Sequence, residues 1–166
     1  SVLSFRPSFD AGLFPLFIFC GSSVLSGISA DESIMSESRG TILIIDDDPF
    51  FQRVLSDTFI ENGFTVLLAG DGIEGLKTFL EKAPDAVISD LVMPRMGGVS
   101  TCMEISRVAG DRPPAIVLLT SMFHEAPHEH ATPEMGAQVH IPKSTNPVDI
   151  VIIVEQLLTR KAYRQV

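Results

Sequence analysis

From Thr41 onward, short unbroken apolar runs alternate with longer stretches whose apolar residues recur every three or four positions. The runs Thr41–Ile45, Thr65–Ala69, Ala86–Ser89, Ala115–Thr120 and Val139–Ile141 are too short for helices, and they read as buried strands. Between the first two, Phe51, Val54, Leu55, Thr58 and Phe59 share one helical face. That pattern stops at Asn62-Gly63, a pair suited to a helix C-terminus. A second helix groups Ile73, Leu76, Phe79 and Leu80, and a third runs roughly from Gly98 to Val108. The last opens at Asn146-Pro147, a capping residue followed by proline, and gathers Ile150, Val151, Ile153, Val154, Leu157 and Leu158 on its core face. Pro127 and Pro133 interrupt Phe123–Met135, which predicts only a short or irregular helix there. Strict alternation of the two element types predicts an α/β fold, a parallel sheet covered by helices on both faces.

Residues 1–40 break the rhythm, being rich in Ser, Gly and Phe. Their one sustained apolar stretch, Leu13–Cys20, is too short to span a membrane, which takes about 20 apolar residues. With Arg6 before it the stretch resembles a signal-peptide core, but Ile28-Ser29-Ala30 puts a large residue where cleavage wants a small one. Met35, just ahead of the first strand, offers a natural start, so 1–40 is expected to be an extension outside the fold: an over-extended start, an expression-derived segment or a linker. The expected domain is 41–161, with 162–166 as a tail.

Composition then narrows the function. The chain has 166 residues, 45% hydrophobic, with 12 basic against 21 acidic groups and a net charge of −9. Such a surface lacks the clustered Lys and Arg that direct nucleic-acid or anionic-membrane binding requires. Cys20 and Cys102 are far apart, so no disulfide framework or cysteine zinc site is indicated, as in a reducing, cytoplasmic compartment.

The polar residues at the strand ends carry the chemistry. In open α/β sheets ligands bind beyond the carboxyl ends of the strands. The first strand ends in Asp46-Asp47-Asp48-Pro49, the third in Asp90, the fourth in Thr120 and the fifth in Pro142-Lys143-Ser144. If strands one and three are neighbours, Asp46, Asp47 and Asp90 converge, and their mutual repulsion calls for a cation. Mg2+, a hard ion with oxygen ligands, fits best. Lys143 supplies a point charge suited to phosphate and Thr120 a hydroxyl donor.

The runs TILIIDDDPFFQRVL, AVISDLVMPRMGG, IVLLTS and GAQVHIPKS, in this order, resemble the receiver domain of two-component response regulators. That resemblance implies a flavodoxin-like doubly wound sheet of order 2-1-3-4-5. It implies that Asp90 accepts a phosphoryl group from a phosphohistidine on a sensor histidine kinase or a histidine phosphotransfer protein. Asp46 and Asp47 would hold Mg2+ together with Asp90 and the backbone carbonyl of Val92. Lys143 would pair with a phosphoryl oxygen, and Thr120 would move inward to bond another. That movement would reshape the face made by the helix expected in Phe123–Met135, the fifth strand and the last helix, where a downstream protein or a second copy docks. The chain would not be an enzyme beyond catalysing its own phosphoryl transfer and slow loss.

Some positions depart from the family pattern. The site three before the lysine, usually aromatic and part of the switch, is His140; it is either a switch residue or a half-exposed strand residue. Ser144 replaces a proline, removing a cis bond common in the family. Asp48 is expected to cap the first helix rather than bind metal. Val92 and Met122, at positions that tune phosphoryl lifetime in the family, are apolar, predicting a long-lived phosphoryl-aspartate. Val148 and Ile152 fall among polar residues on the last helix, an expected docking surface.

Other readings compete. A degenerate receiver would act as a phosphorylation-independent binding module. Gly70, Gly72 and Gly75 form a GxGxxG pattern after a strand, with Asp90 near the spacing of a ribose-binding acid, as in dinucleotide-binding proteins. His124, Glu125, His128, Glu129, His130 and Glu134 offer metal-ligating side chains without a known ligand spacing. An aspartyl phosphatase would need a second aspartate beside the nucleophile, which Asp90-Leu91-Val92 lacks.

Overall fold

The computed structural model describes residues 38–121 and 136–164. Residues 1–37, the expected irregular helix in Phe123–Met135, Met122 and the His/Glu group lie outside the described residues. The elements are β1 (Thr41–Ile45), α1 (Pro49–Glu61), β2 (Thr65–Ala69), α2 (Gly72–Lys82), β3 (Ala86–Asp90), α3 (Gly98–Ala109), β4 (Ala115–Thr120), β5 (Val139–Pro142) and α4 (Pro147–Arg164). All strand pairs are parallel, in the order β2-β1-β3-β4-β5 that the resemblance implied.

The central strands β1, β3 and β4 are covered on both faces, which is why they are unbroken apolar runs rather than alternating ones. Alternation still sorts their side chains between two cores. Ile42, Ile44, Ile88, Val117 and Leu119 pack with Leu55 and Phe59 of α1 and with Ile150, Val151 and Val154 of α4. On the other face Leu43, Ile45, Val87, Ile116 and Leu118 pack with Phe79 of α2 and with Cys102 and Ile105 of α3. Burial pushes the Cys102 thiol up to about 12, so it behaves as a small apolar residue.

The helix ends follow the sequence signals. Asp48 accepts the Phe50 N–H at 2.9 Å and Asn146 accepts the Val148 N–H at 3.0 Å, each one residue ahead of a proline. Gly63, just past the Asn62 cap of α1, has φ +84°, a conformation that favours glycine. In α2 half of the expected apolar face is corrected: Phe79 is buried and Leu76 packs on the core as expected, but Ile73 and Leu80 are exposed, and Gly72 and Gly75 are buried instead. A side chain at position 75 would collide with Ile45, so close helix–sheet packing rotates the buried stripe onto the glycines. The last helix continues past Lys161 to Arg164.

Candidate functional site

Strand register builds the site. Ile45 pairs with Ser89, so the next residues, Asp46 and Asp90, leave adjacent strands side by side. The Asp46 N–H extends the β1–β2 ladder by bonding Ala69 C=O at 3.1 Å. Across β4, Thr120 aligns with Pro142, and its carbonyl accepts the Lys143 N–H at 2.8 Å. By strand alternation Asp46, Asp90 and Lys143 follow Ile44, Ile88 and Ile141, which all line the α1–α4 core.

Lys143 Nζ lies 2.7 Å from Asp46 Oδ2 and 2.9 Å from Asp90 Oδ2, bridging the two carboxylates. Asp46 is 1% and Asp90 5% exposed. Asp47 completes a trio with exposed access: one oxygen from each of Asp46, Asp47 and Asp90 can lie within 4.8 Å of the others. Asp46 Oδ1 accepts the Asp48 N–H at 2.9 Å, whereas Asp90 Oδ1 is buried without a hydrogen-bond partner. Burial is the largest influence on Asp46 and pushes its pKa above the ordinary 3.8, against the pull of the Lys143 ammonium and the Asp48 N–H. For Lys143 desolvation is the largest single influence and works downward, but Asp46 and Asp90 together outweigh it and raise the pKa. The ammonium therefore stays charged.

Three clustered carboxylates, two of them paired with one ammonium, and a partnerless buried oxygen form a hard-donor set suited to a divalent cation such as Mg2+. Two residues of α1 support it beyond what periodicity revealed. Phe51, assigned only to the core by its spacing, has its ring 5.0 Å from Lys143 Nζ and so stabilises the cation from beneath. Gln52 Nε2 donates to the carbonyls of Asp46 at 2.7 Å and Ala69 at 2.8 Å, fixing the end of β1 against β2. No local pattern marks such a cross-strand tie.

Strand alternation and exposure place the other expected residues. Alternation places Thr120 and His140 with Ile116 and Leu118, toward the α2–α3 face. His140 is half-buried and its Nε2 is buried without a hydrogen-bond partner. Val92 is exposed in the loop after Asp90. No cis peptide bond occurs among the described residues, Lys143-Ser144 included.

The dinucleotide alternative fails on its own turn. Asp71 Oδ1 accepts the Ile73 and Glu74 N–H groups at 2.7 and 3.0 Å, and Glu74 Oε2 accepts the Gly70 N–H at 2.7 Å. The donors that would cradle a pyrophosphate are occupied by the chain's own carboxylates, which would also repel it.

The sequence profile of the response regulator receiver domain matches residues 42–155. The chain belongs to that family. A response regulator MprA from Mycobacterium ulcerans (strain Agy99) is 33% identical over 119 residues, covering 72% of this chain and 50% of that protein. A probable transcriptional regulator ycf27 from Guillardia theta is 30% identical over 124 residues, covering 75% of this chain and 47% of that protein. This receiver thus spans about half the length of these curated relatives. Among solved structures, the N-terminal domain of an uncharacterized Wolinella succinogenes protein superimposes with a TM-score of 0.60 at 33% identity, covering 75% of this chain and 98% of that one. The chemotaxis response regulator CheY4 of Vibrio cholerae gives 0.62 at 25% identity, covering 70% and 97%.

Proposed function

We propose that this receiver takes a phosphoryl group onto Asp90 from a phosphohistidine of a sensor histidine kinase or histidine phosphotransfer protein, in the cytoplasm. The observation that supports this most directly is the pairing of Lys143 with one oxygen of Asp90 while the other oxygen is buried without a partner. A carboxylate held this way has one oxygen fixed in position and the other without a competing hydrogen bond. In the transfer, an Asp90 oxygen forms the P–O bond as the P–N bond to the donor imidazole breaks, and the imidazole leaves with the nitrogen's electron pair and takes up a proton. Mg2+, held by Asp46, Asp47, Asp90 and the Val92 carbonyl, would neutralise charge on the transferring oxygens. Lys143 holds a phosphoryl oxygen, and Thr120, with His140 beside it on the same face, carries the switch. No other substrate is turned over.

Output would run through protein contact at the β5–α4 side. Val148 and Ile152 are exposed one turn apart on α4, as their position among polar residues predicted. They suit a downstream protein or a second copy of the chain; Ile152→Glu should weaken that association. The apolar Val92 is expected to slow hydrolysis, and Val92→Ala to shorten the phosphoryl lifetime.

The deciding experiment is labelling with a small phosphodonor, with and without Mg2+, of the wild type and Asp90→Asn. Acid-stable, Mg2+-dependent label on the wild type and none on Asp90→Asn is the expected result. A folded wild type that takes no label, yet binds a partner equally with and without phosphodonor, would make it a phosphorylation-independent binding module.

A further inference from the structure

The loop that follows the acceptor, residues 91–97, is closed at its ends by backbone bonds from Leu91 N–H to Leu119 C=O at 2.8 Å and from Gly98 N–H to Leu91 C=O at 3.1 Å. Gly98 is needed there, because a side chain would strike the Asp90 carbonyl. Between these ends two side chains fasten the loop. Met93 packs into the α2–α3 core, and Arg95 reaches across to the carboxylate of Asp71, the cap of α2. Asp71 is buried to 1% exposure, with Oδ1 filled by the two N–H groups of α2 and Oδ2 left to the Arg95 guanidinium. Arg95 has φ +66°, a left-handed conformation that a non-glycine residue keeps only when its surroundings hold it. A strained backbone is thus retained, and a buried carboxylate supplied with its counter-charge, at a point three residues past Val92.

We propose that Arg95 is a positioning residue for the acidic nest: by holding Asp71 it fixes the loop so that the Val92 carbonyl is presented to the cation. This rests on the Mg2+-dependent reading above and adds a residue to it. Arg95 pairs with Asp71 and so acts through loop geometry, as groups behind metal ligands commonly do.

The test compares Mg2+ affinity by calorimetric titration in the wild type, Arg95→Gly and Arg95→Lys, together with amide hydrogen exchange across 92–97. Glycine accepts the positive φ without strain, so Arg95→Gly removes the guanidinium while leaving the backbone at ease. Its Mg2+ affinity should fall roughly tenfold and loop exchange should quicken, with Arg95→Lys recovering most of both, in line with the usual effect of altering groups behind metal ligands. Ile105→Val, a core change in α3, should lower the melting temperature and leave Mg2+ affinity intact. If Arg95→Gly binds Mg2+ as the wild type does, or Ile105→Val weakens binding equally, the positioning role is overturned while the metal reading stands. If the wild type itself binds no Mg2+, both fall together.

Discussion

The two ends of the sheet are built from the same strands and treat their polar groups in opposite ways. At the amino end, Asp85 accepts the Thr41 N–H on its side chain at 2.8 Å and the Ala115 N–H on its carbonyl at 2.9 Å, while its own N–H bonds Thr41 C=O at 2.8 Å. Gln138 closes the starts of β4 and β5 by accepting the Ile116 N–H on its side chain and donating its own N–H to Ile116 C=O at 2.9 Å. Arg39 joins α1 to α4 through Asn62 C=O and Glu155. At the carboxyl end, two buried carboxylates share one ammonium, and Asp90 Oδ1 has no hydrogen-bond partner at all. Buried polar groups are normally satisfied. One end therefore spends its polar groups on holding strands in register, whereas at the other Asp90 keeps one buried oxygen unpaired, as the proposed cation and phosphoryl chemistry would require.

The largest effect should come from removing the cation that bridges Asp46 and Asp90. Lys143→Met leaves Asp46 and Asp90 buried without a counter-charge, a change that typically costs about 3 kcal/mol or more. Urea unfolding in EDTA should show that loss, and Mg2+ should return part of it, since the metal replaces the missing positive charge. Equal stability of variant and wild type at neutral pH would mean that the carboxylates are not strained.

A smaller and pH-dependent effect isolates Asp46. Its folded pKa lies above the ordinary 3.8, so the folded chain holds that proton more tightly than the unfolded chain. The stability this confers is complete below the unfolded value and is lost as pH rises through the folded value. Without Mg2+, unfolding free energy measured from about pH 3.5 upward should therefore carry a declining contribution that Asp46→Asn removes. Asparagine can still accept the Asp48 N–H, so the turn into α1 is kept. A steeper decline in the variant would reverse the assigned sign.

How far the sequence foretold these ends follows from the range of the interactions. Strand cores and the α1 face were legible because burial imposes period on neighbouring residues, and the bounds of β1, β2 and β4 match the runs seen. The nest was legible because parallel register carries the residues just past Ile45 and Ser89 to one rim. What escaped depends on side chains reaching between elements. Phe51 under Lys143, Gln52 spanning two strands and Arg95 on Asp71 are long-range contacts with no periodic signature. Half of the α2 face, Ile73 and Leu80, was misassigned for a related reason: glycine carries no hydropathy signal, yet Gly72 and Gly75 join Phe79 in facing the helix's neighbours.

At the amino end the effects should be modest and indifferent to Mg2+. Asp85→Ala removes the side-chain acceptor of the Thr41 N–H, which should cost about 1 kcal/mol with or without the metal. The Arg39–Glu155 pair, 2.7 Å apart but with side chains 52% and 31% exposed, should contribute less still. Arg39 also donates to Asn62 C=O at 3.2 Å and lies 5.2 Å from the centre of the Phe64 ring, so Arg39→Ala alone would overstate the ion pair. A double-mutant cycle with Glu155→Gln separates them, and the coupling energy should be below about 0.5 kcal/mol and shrink in high salt. A coupling several times larger would place a second electrostatically demanding region at the end of the sheet where polar groups are satisfied, and the division of labour between the two ends would no longer hold.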